Sequence, residues 1–174
     1  MNNKTILFLT GPSCSGKTTI LNNLIEKTPN NYLVSYDKLK WQLHGYDREN
    51  HREVMRKLSL GYLDVVCSEG FFVFLELWTL DESAYSKLND IASKHDYAVK
   101  IIHVTASEKI LMERCRDRID TAKLEGSKAS ITDEKIYQKR LEEKQYLPEG
   151  TISIDTSRIS TDEATIEVQE VLNS

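Results

Sequence analysis

The stretch Gly11-Pro12-Ser13-Cys14-Ser15-Gly16-Lys17-Thr18 constrains this chain more than any other. It matches GxxxxGK[ST] in full, and its surroundings are those the pattern requires: an apolar run, Ile6 to Leu9, before it and a helical pattern with Ile20, Leu21, Leu24 and Ile25 on one stripe after it. At this spacing the backbone N–H groups of the loop and of the first helical turn, through Thr19, converge on phosphate oxygens beside the positive helix N-terminus. Lys17 then reaches the β- and γ-phosphates of a nucleotide, and the Thr18 hydroxyl completes a Mg²⁺ coordination shell. Cys14 admits two readings, a redox-sensitive thiol at a helix N-terminus or a small residue that fits the turn.

Beyond the loop, apolar runs alternate with amphipathic helical patterns, which is the signature of βα units and a parallel sheet covered on both faces. Five strands are expected: Thr5 to Thr10, Tyr32 to Tyr36, Phe71 to Leu77, Tyr97 to Val104 and Thr151 to Ile154. The third is apolar on both faces, as a central strand should be. Helices are expected over Glu49 to Glu69, Asp81 to Lys94, Glu108 to Arg118 and Asp133 to Gln145, with a last one opened by a capping box at Ser160-Thr161-Asp162-Glu163. In the Glu49 helix the inward stripe is read as Val54, Leu58, Leu60, Leu63, Val65 and Val66, and in the last helix as Ile166, Val168 and Val171-Leu172. Periodicity lapses from Ile119 to Ile131, which reads as a polar, mobile stretch.

Length and composition narrow the class further. A chain of 174 residues with 40% hydrophobic and 29% charged residues suits one soluble domain over residues 1–174. No segment approaches the roughly 18 apolar residues of a membrane helix, so no membrane partner and a cytoplasmic location are expected. Three widely spaced cysteines and four histidines lack disulfide or zinc spacing. The net charge of −4 argues against electrostatic coating by nucleic acid, without excluding a local basic site. None of the seven glycines forms a GxG pair, and neither NKxD nor DxxG is present, which disfavours a dinucleotide fold and a GTPase switch.

Residues elsewhere in the chain suggest what is done with the bound phosphate. Asp37 follows the second strand, and strand ends gather at one rim of a parallel sheet, so Asp37 should face the loop. It is either a base for an acceptor hydroxyl or the N-cap of the following helix. Glu76 ends a buried strand, where a carboxylate is costly unless paired, and it is a metal ligand in prospect; Asp81 is its rival. Arg114 and Arg118 share a helix face just before the polar stretch, where guanidinium groups could close over developing charge. Lys38, Lys40, Arg48, His51 and Arg52 cluster after Asp37 as an acceptor groove or as ordinary surface charge.

Together, Gly11 to Thr18, Asp37 with Lys40, Arg114 with Arg118, and Ile154-Asp155-Thr156-Ser157 resemble the P-loop kinases grouped with polynucleotide 5′-hydroxyl kinases, zeta toxins and chloramphenicol phosphotransferases. The resemblance implies a three-layer P-loop kinase fold with sheet order 2-3-1-4-5, a lid between strands four and five (about 114–145), and ATP with Mg²⁺. It also implies that Asp37 is the general base, that Arg118 or Arg158 stacks on adenine, and that Lys40 stands where polynucleotide kinases carry a phosphate-gripping arginine. A lysine there is a point charge without the bidentate fork. The acceptor implied is a nucleic-acid 5′-hydroxyl or nucleotide-like molecule, with a small-molecule acceptor and a non-transferring regulatory module as alternatives.

Overall fold

In the computed structural model, residues 4–77, 81–126, 131–143 and 145–173 are described. Five strands, β1 (Thr5–Thr10), β2 (Asn31–Ser35), β3 (Phe72–Glu76), β4 (Ala98–Thr105) and β5 (Ile152–Asp155), form one parallel sheet in the order β2-β3-β1-β4-β5. The expected strand count, direction and order are all observed. Around the sheet lie α1 (Lys17–Lys27), α2 (Tyr36–Lys40), α3 (Arg48–Ser68), α4 (Glu82–Lys94), α5 (Glu108–Glu125), α6 (Glu134–Leu141) and α7 (Thr161–Asn173). No described helix is long and apolar enough to cross a membrane.

Strand alternation divides the core into two layers. Ile6, Phe8, Val73 and Leu75 point to the face covered by α3 and α4, while Leu7, Leu9, Phe72 and Phe74 meet α1 and α7. The six residues of β1 are all buried, because a strand with neighbours on both edges and helices on both faces has no route to water. A third, smaller cluster of Leu111, Cys115, Ile119, Ile131 and Tyr137 joins α5 to α6.

Several elements differ from the sequence expectation. Helix α5 continues through Ile119 to Glu125, because Ile119 is buried in the third cluster and Gly126, at φ 62, supplies the left-handed stop. The remainder of the expected mobile stretch, residues 127–130, lies outside the described residues. On α3 the inward stripe is Met55, Ser59, Leu63, Val66 and Cys67, with Leu60, while Val54, Leu58 and Val65 face solvent. Ile166 of α7 is likewise exposed, and Ala164, Thr165, Val168 and Leu172 turn inward. The small residues Ala164 and Thr165 let α7 approach α1, where Asn23 donates to Thr165 Oγ1 at 3.3 Å. The capping box is formed as expected: Glu163 N–H donates to Ser160 Oγ at 3.2 Å and Ser160 N–H donates to Glu163 Oε2 at 2.8 Å.

Gly11 is where the first strand becomes the loop. Its φ is 131°, and a Cβ built there would lie 2.0 Å from the Val104 carbonyl oxygen, a backbone atom of the adjacent strand that cannot yield. Gly11→Ala should therefore destabilise the protein by more than about 3 kcal/mol in urea unfolding or prevent folding; a loss under about 1 kcal/mol would show that β4 can give way.

Candidate active site

The loop Gly11 to Gly16 is held by its carbonyl oxygens. Lys17 Nζ donates to the carbonyls of Gly11 at 2.9 Å and Pro12 at 2.6 Å. Tyr137 Oη, from α6, donates to Ser13 O at 2.6 Å, and the Thr156 hydroxyl, after β5, donates to Ser15 O at 3.0 Å. The Gly16 carbonyl accepts from Ile20 N–H at 3.1 Å inside the first turn of α1. With these carbonyls satisfied from outside, the loop's N–H groups are left to face an anion. Gly16 at φ 98° and Cys14 at φ 65° make the turns that point them inward; the left-handed backbone is free for glycine and strained for cysteine. Cys14 packs against Cys115, whose thiol is pushed up to about 12 by burial and then by the neighbouring Cys14.

Two strand ends bring the carboxylates to this loop. Glu76 closes β3, paired in register with Ser35 at the end of β2. Its side chain is buried, and it accepts from Ser35 Oγ at 2.8 Å and from Thr18 Oγ1 at 3.1 Å, so both oxygens are satisfied. Ser35 is also the N-cap of α2, its hydroxyl accepting from Lys38 N–H at 3.3 Å. Asp37 is thereby relieved of the capping duty its position suggested. Its half-exposed carboxylate instead pairs with the ammonium of buried Lys40 one turn on and faces the cleft.

A cleft of about 730 Å³ opens over the loop. Its walls include Ser13, Cys14, Gly16, Lys17, Thr18 and Thr19, the acids Asp37 and Glu76, and Lys40, Arg114 and Arg118. Gly11, Pro12 and Ser15 belong to the loop's outer course rather than to the wall. Arg114 is held by Thr156, donating to its hydroxyl and its carbonyl, both at 2.9 Å; Arg118, one turn on, is exposed and has no ion pair among the described residues. Arg158 is on the exposed turn after β5 beside the cleft rather than on its wall, to which its neighbours Ile159, Ser160 and Thr161 contribute. Lys38, His51 and Arg52 are not on the wall either, whereas Arg48 is. Asp81 caps α4 by accepting from Ala84 N–H at 2.8 Å and pairs with Arg56, away from the cleft. The wall and support residues given no site role in the sequence include Trp41, Tyr137, Arg140 and Thr156. Only the tertiary fold brings them from α2, α6 and the β5–α7 turn to the loop.

The oxygen pair Thr18 Oγ1 and Glu76 Oε1 suits a hard divalent cation, and among the described residues no group of three or more His, Cys, Asp or Glu is arranged to hold one. Such a pair of hard oxygen ligands fits Mg²⁺, which keeps water and substrate phosphates in its shell. Thr18 and Glu76 would hold it, directly or through water.

Residues 6–140 match the AAA domain family AAA_33, and the chain belongs to that family. Its fold is that of several solved kinases. The APS kinase CysC of Mycobacterium tuberculosis aligns over 100% of both chains at TM-score 0.68 and 15% identity. A gluconokinase from Sinorhizobium meliloti 1021 aligns over 99% of this chain and 98% of its own at TM-score 0.60 and 18% identity. A chain of the Pnkp1/Rnl/Hen1 RNA repair complex aligns over 81% of this chain and 44% of its own, at TM-score 0.65 and 14% identity. No curated protein matches the sequence.

Burial holds Lys17 down at about 8, against the opposing pull of Glu76 and then Asp37. Between about 8 and the unfolded value of 10.5 the unfolded chain binds the extra proton, so the free protein gains stability as pH rises through that window. Phosphate favours the charged ammonium, so binding has the opposite dependence. Affinity for ADP should fall as pH rises through about 8, by up to about tenfold per pH unit, and Lys17→Met should flatten the profile. Calorimetric titration from pH 7 to 9.5 reads this directly, and a flat profile in the parent protein would remove Lys17 from phosphate binding.

Proposed function

We propose that this chain is an ATP-dependent phosphotransferase that moves the γ-phosphoryl group to an acceptor hydroxyl, a nucleic-acid 5′-hydroxyl or nucleotide-like molecule, with residues 1–174 acting as one kinase domain. The observation that carries the reading is that the Asp37 carboxylate, freed from capping by Ser35, opens into the same cleft as the phosphate loop and the Thr18–Glu76 pair. A conformational switch without transfer would need no such acid beside the donor site.

The chemistry follows from placement. Asp37, positioned by Lys40, takes the proton of the acceptor hydroxyl; the acceptor oxygen bonds to the γ-phosphorus as the bond to the β-bridging oxygen breaks, and ADP leaves. Lys17 exchanges the Gly11 and Pro12 carbonyls for phosphate oxygens. Arg114, anchored on Thr156, and Arg118 offset charge on the transferred group as α5 and α6 close over it. Thr18 and Glu76 would hold Mg²⁺, which when bound would neutralise charge on the phosphate oxygens.

The relatives in fold carry names as different as APS kinase, gluconokinase and RNA repair complex, so the acceptor is read from this chain's own walls. The test is transfer of labelled γ-phosphate to a panel of 5′-hydroxyl RNA and DNA oligomers, nucleosides, nucleotides, sugars and small alcohols. Transfer to an oligomer or nucleotide is expected; transfer to sugars or alcohols alone would favour the small-molecule reading, and nucleotide binding with no acceptor at all would favour a regulatory module. Asp37→Asn should lower kcat by about 10²–10⁴-fold while leaving ATP affinity intact, and an unchanged rate would take the base role from Asp37.

A further inference from the structure

The three cysteines of the chain are not equivalent. Cys67 is buried in the core layer covered by α3 and α4, which the other two do not share. Cys14 and Cys115 meet in the third cluster, one from the phosphate loop and one from α5. Cys14 Sγ is within hydrogen-bonding reach of Cys115 Sγ and of Tyr137 Oη, and the Tyr137 hydroxyl itself donates to Ser13 O at 2.6 Å, which fixes the ring beside the loop. Two free thiols therefore face each other where the loop rests on α5 and α6.

Turn geometry alone does not ask for a cysteine at position 14. Its φ of 65° lies in the left-handed region, where glycine is free and a residue with a Cβ is strained, so the surrounding contacts hold it there against its own preference. The two sulfurs also differ in access. Cys14 is partly exposed and lines the cleft, whereas Cys115 is fully buried and its thiol is held un-ionised by that burial. An oxidant arriving from solvent reaches Cys14 first and leaves Cys115 as the partner behind it.

We infer that Cys14 is a site of oxidative modification by hydrogen peroxide, and that Cys115 resolves it into a disulfide that disables the phosphate loop. The inference needs only a nucleotide-binding loop and goes beyond the phosphotransferase reading. The Cys14 sulfur, as its thiolate, attacks one peroxide oxygen; the O–O bond breaks, the other oxygen takes up the proton Cys14 released and leaves as water, and Cys14 carries a sulfenic acid. The Cys115 sulfur then bonds to the Cys14 sulfur; the S–OH bond breaks, and hydroxide leaves with the Cys115 proton as a second water. Two thiols lose two electrons, and one peroxide is reduced to two waters. An S–S bond of about 2.0 Å is shorter than any contact between unbonded thiols, so the loop at Cys14 or α5 at Cys115 has to shift. The N–H groups converge on phosphate only in the turn that Cys14 helps to make, and a Cys14 drawn toward α5 turns them away.

The test uses the full chain treated with hydrogen peroxide. Non-reducing peptide mapping by mass spectrometry should find Cys14 linked to Cys115, and calorimetry should find ADP bound about tenfold or more weakly than by the reduced protein, with affinity restored by dithiothreitol. Cys115→Ala should form no such link, should trap dimedone at Cys14 and should keep most of its ADP affinity under the same treatment. Cys67→Ala should respond as the parent protein does. Absence of a Cys14–Cys115 link in the folded parent protein overturns the inference, as does a link that leaves ADP affinity unchanged. An equal loss of affinity in peroxide-treated Cys115→Ala would place the effect on oxidised Cys14 alone and overturn the pairing. Since the readouts are covalent mapping and ADP binding, reduced protein that transfers phosphate to no acceptor would sink the phosphotransferase reading and leave this one standing.

Discussion

The site depends on how the phosphate loop disposes of its own carbonyl oxygens. A glycine-rich turn that aims its N–H groups at one point must send its carbonyls outward, and each needs a donor once the sheet and helices bury it. Here the donors come from three directions: Lys17 from the helix that follows, Tyr137 from α6, and Thr156 from the turn after β5. These ties are long in sequence, 124 residues for Tyr137 and 141 for Thr156, and they bind the loop to the element that would close over it. Thr156 also accepts from Arg114, so one hydroxyl joins the loop to a cation aimed into the cleft.

A second consequence concerns charge. The loop and the strand ends bring buried Glu76 and half-exposed Asp37 close to Lys17, and the buried carboxylate is not stable there alone. Glu76 is satisfied by two hydroxyls, those of Ser35 and Thr18, rather than by the Lys17 ammonium, which donates instead to the loop carbonyls. Burial then lowers Lys17 to about 8, placing its titration just above neutrality, where the ammonium is still charged but readily discharged. Asp37 is handled differently: its partner is Lys40, whose stem is buried and whose ammonium also lies over Trp41. Carboxylate, cation and aromatic surface are thereby joined at one short helix.

Much of this was legible without coordinates. The parallel direction of the strands followed from alternating apolar runs and helical stripes, the loop from its spacing and flanks, and the strand order from the family resemblance that the loop and later residues carry. Where the sequence misled, the reason is physical. Val54, Leu58 and Val65 share α3 with the buried Leu63 and Val66, and an apolar residue on a helix does not announce which arc meets the sheet. Ile119 looked isolated in a polar stretch because its partners, Tyr137 and Ile131, come from a later segment. Asp37 and Asp81 both follow strands, yet Asp81 caps a helix while Asp37 does not, because Ser35 precedes α2 and no serine precedes α4.

What the sequence determined by itself was local: a phosphate loop between a strand and a helix, five βα-type units, a capping box, and acids at two strand ends. These depend on periodicity and on residues within a few positions of one another. What only the tertiary structure decided was which distant side chains share the cleft. Arg140 and Trp41 came to line the cleft, Arg158 stayed off its wall, and Thr156 and Tyr137 became the supports of the loop. Those outcomes are set by how α5, α6 and the β5–α7 turn pack over the sheet edge, and a contact across 100 residues leaves no trace in the spacing of either partner.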